Sequence, residues 1–139
     1  RCFISRDIGS LISAFKTYVW PIVEYNSSIW SPSLKKDILT IESVQRRFTK
    51  RLAGMSNLSY HARLKLLKLE SLELRRLRAD LLLVYKILFG HVNLSVDAFF
   101  EVNTNEKLNS LRRHSYQLVV PTRRPNCNAG RGLFVYRIA

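Results

Sequence analysis

The chain has 139 residues, of which 47% are hydrophobic and 11% aromatic, which is enough for one ordinary domain core and excludes fibrous and disulfide-rich proteins. Its 23 Lys and Arg outnumber 10 Asp and Glu, and the net charge of +13 is typical of a protein that binds a polyanion, unless the charge serves only solubility. Two distant cysteines form neither a zinc pattern nor a disulfide framework, and no apolar stretch could span a membrane, so we expect an intracellular chain without metal, cofactor or membrane partner.

The first predicted helix has apolar residues at three- and four-residue spacings from Ile8 to Val23. Pro21 falls in phase with this pattern and predicts either a kink, with the helix continuing to about Tyr25, or a break just before Trp20. Trp20 lies on the polar side of the helix. We expect it to pack against a neighbouring segment rather than to stack on a nucleic-acid base.

A second helix is predicted to follow a Ser- and Pro-rich stretch, with Ser31 or Ser33 as its N-cap and Pro32 in its first turn. Gly54 supplies a left-handed stop. The apolar stripe consists of Leu34, Ile38, Ile41, Val44, Phe48 and Leu52. Gln45 falls on this apolar side, so we expect its amide either to bond a backbone group across an interface or to be partly exposed.

Ser59 is predicted to cap a short third helix, and Ser71 to cap a fourth that runs from Leu72 to about Phe89, before Gly90. The fourth helix is the most apolar, and we expect neighbours to cover it on two sides. Its broad face comprises Leu74, Leu77, Leu81, Val84, Tyr85 and Leu88, and its second face Leu83 and Ile87.

The pattern weakens after residue 102, although one short helical turn or two is expected in residues 95–102. The sequence therefore predicts an all-α fold, a small helical bundle of about four to five helices. We expect a helical domain at residues 1–102 and a basic, mostly irregular tail at residues 103–139. The chain begins without Met and is expected to be part of a longer protein.

No catalytic constellation is present in the sequence. Glu42 with Arg46, and Arg76 with Asp80, have the four-residue spacing of ordinary ion pairs on a helix surface. The three histidines stand apart, and the Gly-containing stretch near the end lacks the Lys-Ser/Thr of a phosphate loop. We expect neither an enzyme in this chain alone nor a small-molecule substrate.

The basic residues are the candidate nucleic-acid contacts. Residues 46–139 hold 18 of the 23 basic side chains and only six of the ten acidic ones, so a nucleic-acid surface is expected mostly there. The candidates are Arg46, Arg47, Lys50, Arg51, Arg75, Arg76, Arg78, Arg112, Arg113, Arg123 and Arg124.

Helix electrostatics separates three groups among these candidates. Residues 46–51 lie near a helix C-terminus, where the macrodipole favours cations, so a structural role and a binding role are both open. Arg75, Arg76 and Arg78 lie in the first two turns of a helix, where the dipole disfavours cations by about 0.3–1 kcal/mol each. Either carboxylates such as Glu70 and Glu73 or an external phosphate must favour them. The four tail arginines suit either backbone contacts or a disordered basic tail.

Two stretches carry a resemblance to a known family: "YVWPIVEYNSSIWSPSLKKDILTIESVQRRFTKRLAG" and "SYHARLKLLKLESLELRRLRADLLLVYKIL". The pattern resembles the thumb and post-thumb region that follows the polymerase core in reverse transcriptases of non-LTR (LINE-like) retrotransposons. Its specific parts are Pro21, Glu24-Tyr25 and Trp30 with Ser31-Pro32; the series Asp37, Glu42 and Gln45-Arg46-Arg47; Tyr60 with Arg63-Leu64; Leu72-Glu73 with Arg75-Arg76; and Asp80 with Tyr85-Lys86. Later stretches, "RRHSYQLVVPTRR" and "GLFVYRIA", look like the segment that leads to a Trp-Asn-x-Leu-Pro element in this family.

The resemblance implies a helical segment that holds a template-primer duplex against the palm during reverse transcription. Implied partners are RNA or an RNA–DNA hybrid, bound without sequence preference, and the fingers and palm of a parent chain. The implied location is the nucleus or cytoplasm, as a ribonucleoprotein. Fingers, palm and the Tyr-x-Asp-Asp segment are absent from this sequence, so we expect no polymerisation by this chain alone.

Two alternatives remain at this point. One is an interaction module that docks on an absent polymerase core, with its charge serving mainly solubility. The other is a sequence-specific helix-turn-helix protein built from the third and fourth predicted helices, although the fourth is very apolar for a recognition helix. A continuous basic strip across the second and fourth helices would favour the phosphate-binding hypothesis over both.

Overall fold

The computed structural model describes residues 7–100 and Leu118, and this part of the chain is all-α, as predicted. Residues 7–100 contain no β-strand. The helices are α1 (Ile8–Ala14), α2 (Trp20–Glu24), α3 (Ser27–Trp30), α4 (Lys35–Lys50), α5 (Tyr60–Leu67) and α6 (Leu72–Leu88). A π-helical turn at Phe15–Val19 joins α1 to α2, and a 3-10 turn forms at Val96–Ala98. The predicted tail lies outside the described residues.

The described residues divide into two compact units. The first comprises residues 7–27 and 34–76, and the second comprises residues 28–33 and 77–100 with Leu118. Helix α6 thus contributes its first five residues to the first unit and the rest to the second. The predicted boundary between residues 102 and 103 falls outside the described residues and stays a prediction.

The helical path continues through Pro21, as one of the two alternatives predicted. Proline lacks an N–H, and its ring crowds the carbonyl four residues earlier, so a regular α-helix cannot pass through it undisturbed. The chain widens into the π-helical turn just before this point, and the Trp20 N–H bonds the Phe15 carbonyl, five residues back. The helix then runs to Glu24, with Pro21 in the first turn of α2.

Helix α4 begins later than predicted. Its N-cap is Leu34, which has extended backbone angles and no capping side chain, so the prediction of Ser31 or Ser33 as N-cap and Pro32 in the first turn was wrong. The Leu34 carbonyl instead accepts the N–H groups of Asp37 (3.0 Å) and Ile38 (3.1 Å). Backbone geometry at Leu34, rather than a side-chain oxygen, therefore starts this helix.

Both predicted caps of the later helices are confirmed. The Ser59 hydroxyl accepts the Ala62 N–H at 3.3 Å, and the Ser71 hydroxyl accepts the Leu74 N–H at 3.2 Å. Helix α6 ends at Leu88, and Gly90 follows it with a φ of +68°, which glycine adopts without Cβ strain. Local side-chain chemistry therefore fixes the start of α5 and of α6.

The two faces predicted for α6 are only partly buried: Val84 and Ile87 are buried, and Leu83 and Leu88 pack against the core of the second unit. The buried residues of α6 are Leu72, Arg76, Asp80, Val84 and Ile87. The other four residues of the predicted broad face are about half exposed: Leu74 is 45%, Leu77 45%, Leu81 51% and Tyr85 52% exposed. Apolar residues occur on both sides of this helix, so hydrophobic periodicity could not discriminate between them, and only one side is covered in the described residues.

Each unit has its own apolar core. In the first unit, the Phe15 and Phe48 rings stack with centroids 4.1 Å apart, joining the π-helical turn to α4. In the second unit, Val84 and Ile87 pack with Phe100, and Leu118 lies against this cluster. The first core positions α4, which carries the candidate contacts Arg46, Arg47 and Lys50.

Candidate nucleic-acid interface

Gln45, on α4, holds the interior of the first unit together. Its side chain is fully buried and accepts a hydrogen bond from Trp20 Nε1 at 2.9 Å. Its amide nitrogen donates to the Glu70 carbonyl oxygen (2.8 Å) and to the Tyr60 hydroxyl (3.2 Å). The predicted bond from a buried amide to backbone across an interface is therefore confirmed, and Trp20 packs internally as expected.

Glu42 caps α6 from a different helix. Its carboxylate is buried and accepts the N–H groups of Leu72 (3.0 Å) and Glu73 (3.3 Å) as well as the Tyr60 hydroxyl. The prediction of a surface ion pair between Glu42 and Arg46 was therefore wrong. A carboxylate at this position satisfies orphan N–H groups and meets the positive end of the helix dipole.

The N-terminus of α6 consequently has no donor left for a phosphate. Glu42 takes the first two N–H groups, the Ser71 hydroxyl takes the third, and the Ser71 carbonyl takes that of Arg75 at 3.1 Å. Helix N-termini bind anions because the N–H groups of the first turn, here those of Leu72, Glu73 and Leu74, are otherwise unsatisfied; the Arg75 N–H makes the ordinary bond of the helix to the carbonyl four residues back. Here the protein supplies all the acceptors itself.

A carboxylate also explains the position of Arg75. Its guanidinium pairs with Glu24 of α2, with Nη2 to Oε2 at 2.9 Å, and lies over the Trp20 ring at 3.6 Å from the centroid. Hydrogen bonding to Glu24 raises the pKa of Arg75, and the charges of Glu24 and Glu70 act in the same direction. A carboxylate, rather than an external phosphate, therefore accounts for the position of Arg75. The carboxylate that pairs with it is Glu24, whereas the sequence had suggested Glu70 or Glu73.

Arg76 and Arg78 differ in exposure. Arg76 is 3% exposed and Asp80 1%, so the expectation of a surface ion pair between them was wrong. A buried guanidinium cannot contact a phosphate without leaving the protein interior, and Arg76 is therefore withdrawn as a candidate. Arg78 is exposed and belongs to the second unit.

The remaining described candidates lie together on α4. Arg46, Arg47, Lys50 and Arg51 are all exposed in the last turns of the helix or just after it. The Arg46 guanidinium lies over the Tyr60 ring, 4.7 Å from its centroid. The Tyr60 hydroxyl is hydrogen-bonded to Glu42 and Gln45, which fixes the ring against which the Arg46 guanidinium packs.

The acid-free stretch of sequence extends beyond these four residues. Between Glu42 and Glu70 there are seven basic residues and no acidic one. Arg63 is the buried exception, and it donates to the Thr49 hydroxyl (3.2 Å) and the Leu58 carbonyl (2.8 Å). We define the α4–α5 basic segment as the other six, which are exposed: Arg46, Arg47, Lys50, Arg51, Lys65 and Lys68.

Lys65 and Lys68 were missed by the sequence interpretation, which ranked clusters of adjacent arginines. The absence of acidic residues over this stretch is visible in the sequence and would have identified both. Helix α4 packs against α5, so the cations of the two helices belong to one local structure. The Arg63 bonds to Thr49 and Leu58 fix the connection between the helices.

Arg112, Arg113, Arg123 and Arg124 lie outside the described residues and stay predictions.

Within residues 7–100 and at Leu118, no group of three or more His, Cys, Asp or Glu side chains is placed to hold a metal ion. In the same part of the chain, no helix is both long and apolar enough to cross a membrane. No protein-family model, curated protein or solved structure matches the chain.

Proposed function

We propose that this chain is a non-catalytic segment that holds a nucleic acid by its backbone phosphates. The observation that carries the proposal is the α4–α5 basic segment, six exposed cations in a stretch of 27 residues, 43–69, that contains no acidic side chain. In the described residues, no carboxylate pairs with Arg47, Lys50 or Arg51. Solvated cations without internal partners can exchange water and counterions for phosphates.

The chemistry of these side chains favours backbone contact over base recognition. Arginine and lysine neutralise phosphates without reading sequence, and such contacts set position rather than specificity. The Tyr60 ring beneath Arg46 limits the positions that this guanidinium occupies, which lowers the entropy lost on binding. Together with the sequence resemblance, these side chains support RNA or an RNA–DNA hybrid as the proposed ligand, bound without sequence preference.

The wider proposal concerns the parent protein. The sequence resemblance supports a thumb or post-thumb segment of a non-LTR retrotransposon reverse transcriptase, whose fingers and palm would be the protein partners. The location would then be intracellular, in a ribonucleoprotein. Under this proposal the fingers and palm of the parent protein catalyse polymerisation, and the present chain binds the nucleic-acid backbone.

Two double variants on the same helix, α4, test whether the α4–α5 basic segment binds phosphates. Arg47→Ala with Lys50→Ala removes two cations from the basic segment, whereas Lys35→Ala with Lys36→Ala removes two exposed cations from the start of α4. In low salt the first variant should bind a labelled RNA–DNA hybrid roughly tenfold or more weakly than wild type. The second should bind almost as wild type does, and hybrids of unrelated sequence should behave alike. Equal loss in both variants would mean that only net charge matters.

A second function, docking on a protein partner, is favoured by one observation. Helix α6 exposes large apolar side chains, among them Leu77 (45%), Leu81 (51%) and Leu82 (53%). Exposed apolar patches often mark protein interfaces. Under this proposal, replacing Leu77 and Leu81 by Gln would leave hybrid binding unchanged and abolish association with a polymerase core supplied as a separate chain.

A further inference from the structure

Lys68, the residue directly after α5, has left-handed backbone angles, with φ at 51° and ψ at 45°. In this conformation the Cβ of an L-residue crowds a neighbouring carbonyl oxygen, so glycine is favoured and other residue types are strained. Among the described residues, Asn26 is the one other non-glycine with positive φ, and asparagine adopts this conformation more readily than most residues. Lysine is therefore an unfavourable residue type for the backbone at position 68.

The end of α6 has the same backbone motif with glycine at the corresponding position, Gly90. In both motifs the left-handed residue donates its N–H to the carbonyl three residues back, at 3.3 Å. The next residue donates to the carbonyl five residues back, at 2.9 Å after Lys68 and 2.8 Å after Gly90. Glycine thus completes this helix ending without strain, and the motif itself does not require a lysine.

The chain that follows Lys68 imposes the left-handed conformation. Leu69 turns into the interior and is 6% exposed, and the carbonyl of Glu70 accepts the buried Gln45 amide at 2.8 Å. Both contacts depend on the sharp change of direction at position 68. Backbone strain persists where the surrounding structure determines the conformation in this way, so position 68 is left-handed whichever side chain it carries.

The Lys68 side chain itself is exposed, and no carboxylate of the described residues pairs with it. A cation at a helix C-terminus interacts favourably with the helix dipole, which offsets part of the strain. Lys65 already supplies such a cation from the last turn of α5, where its backbone is helical. The dipole alone is therefore a weak reason for a second lysine at a strained position.

We infer that Lys68 is a phosphate contact of the α4–α5 basic segment, whose charge is kept at the expense of folding stability. This inference rests on the proposed function, since it assigns one more residue to the same nucleic-acid backbone. A residue type that strains the fold and exposes a cation within an acid-free stretch fits a trade-off between stability and binding.

The test combines thermal unfolding of the full chain with a salt titration of binding to a labelled RNA–DNA hybrid. Lys68→Gly removes strain and charge together, so it should raise Tm by about 2–5 °C. It should also reduce the slope of log affinity against log salt by about 0.7–0.9. Lys68→Gln keeps the strain, and it should show the same loss of slope without the rise in Tm. Lys68→Arg keeps the charge and should retain the wild-type slope.

Two controls separate strain and net charge from a contact at position 68. Asn26→Gly relaxes the other left-handed position without changing charge, and Lys36→Gln removes an exposed cation from the start of α4. Both should retain the wild-type salt slope. A Lys68→Gly protein that melts higher but keeps the wild-type slope would overturn the phosphate contact. An unchanged or lower Tm would show that lysine does not strain this position and would overturn the trade-off.

The variant Arg47→Ala with Lys50→Ala distinguishes failure of this inference from failure of the proposed function. If that variant has a shallower salt slope while Lys68→Gly and Lys68→Gln do not, the basic segment binds phosphates and the assignment of Lys68 is wrong. If none of the three proteins differs from wild type in slope, the proposed function fails together with the inference.

Discussion

The buried carboxylate of Glu42 has two structural roles. It satisfies the N-terminal N–H groups of α6 from another helix, and it fixes the Tyr60 hydroxyl. Tyr60 in turn supports the guanidinium of Arg46. The position of one proposed phosphate contact therefore depends on a carboxylate that never meets the ligand.

Glu42→Gln should destabilise the protein by about 1–3 kcal/mol, because an amide offers only one acceptor to several donors and carries no charge for the helix dipole. Urea unfolding followed by circular dichroism measures this loss. The control is Glu73→Gln, which removes an exposed carboxylate from the first turn of the same helix and should cost at most about 0.5 kcal/mol. Equal costs would show that the cap contributes no more than surface charge.

Tyr60 makes stability depend on pH in alkaline solution. Burial, followed by the hydrogen bond to Glu42, raises the pKa of the Tyr60 hydroxyl above its ordinary value of 10.0. The folded state then retains a proton that the unfolded state loses, so the contribution of this group is complete below pH 10 and falls as pH rises further.

Tyr60→Phe removes this contribution and keeps the ring. The difference in unfolding free energy between wild type and Tyr60→Phe should be constant from pH 7 to about 9.5 and should shrink above pH 10. Urea unfolding of the two proteins across this range gives the difference. A difference that grows with alkaline pH would have the wrong sign for a raised pKa.

The environment of a single residue could be predicted from the sequence when it depended only on the periodicity of that residue's own helix. Gln45 fell on the apolar side of α4, so a buried and bonded amide was expected. Glu42 also turns toward the interior, but its partners come from residues 60, 72 and 73, and no local pattern reveals them. The carboxylate partner of Arg75 could not be identified for the same reason, because Glu24 is 51 residues away in sequence.

Element boundaries and element faces differed in predictability. The starts of α5 and α6 were predicted because the capping serine lies next to the N–H groups that it satisfies. The start of α4 was not, because the Leu34 backbone replaces a capping side chain. The buried side of α6 could not be chosen from periodicity, since leucines occur on both sides and the choice depends on the neighbours.

A pair of substitutions tests which side of α6 is buried. Ile87→Ala should cost about 2–4 kcal/mol, because Ile87 is 1% exposed and its loss leaves a cavity beside Val84 and Phe100. Leu81→Ala, at a side chain that is 51% exposed, should cost less than about 1 kcal/mol. Chemical denaturation of both variants provides the comparison. A larger cost at Leu81 would show that the Leu81 side of α6 is the more deeply buried one.

At the scale of the whole chain, the strong positive charge was the most informative property of the sequence. It predicted a polyanion partner, and the structure narrows the candidates by removing Arg76 from the surface and pairing Arg75 with Glu24. What remains in the first unit is the α4–α5 basic segment. The six cations of this segment are exposed, and residues 43–69 contain no acidic side chain. Packing of α4 against α5 fixes the helices that carry them.

The central claim is that this segment contacts phosphates, and a salt titration of binding to a labelled RNA–DNA hybrid tests it most directly. The test variant is Arg47→Ala, Lys50→Ala and Arg51→Ala, and the control of equal charge is Lys16→Ala, Lys35→Ala and Lys36→Ala. Each lost phosphate contact should reduce the slope of log affinity against log salt by about 0.7–0.9. We predict a slope shallower by roughly two to three units for the test variant and an unchanged slope for the control. Identical slopes in all three proteins would contradict the claim.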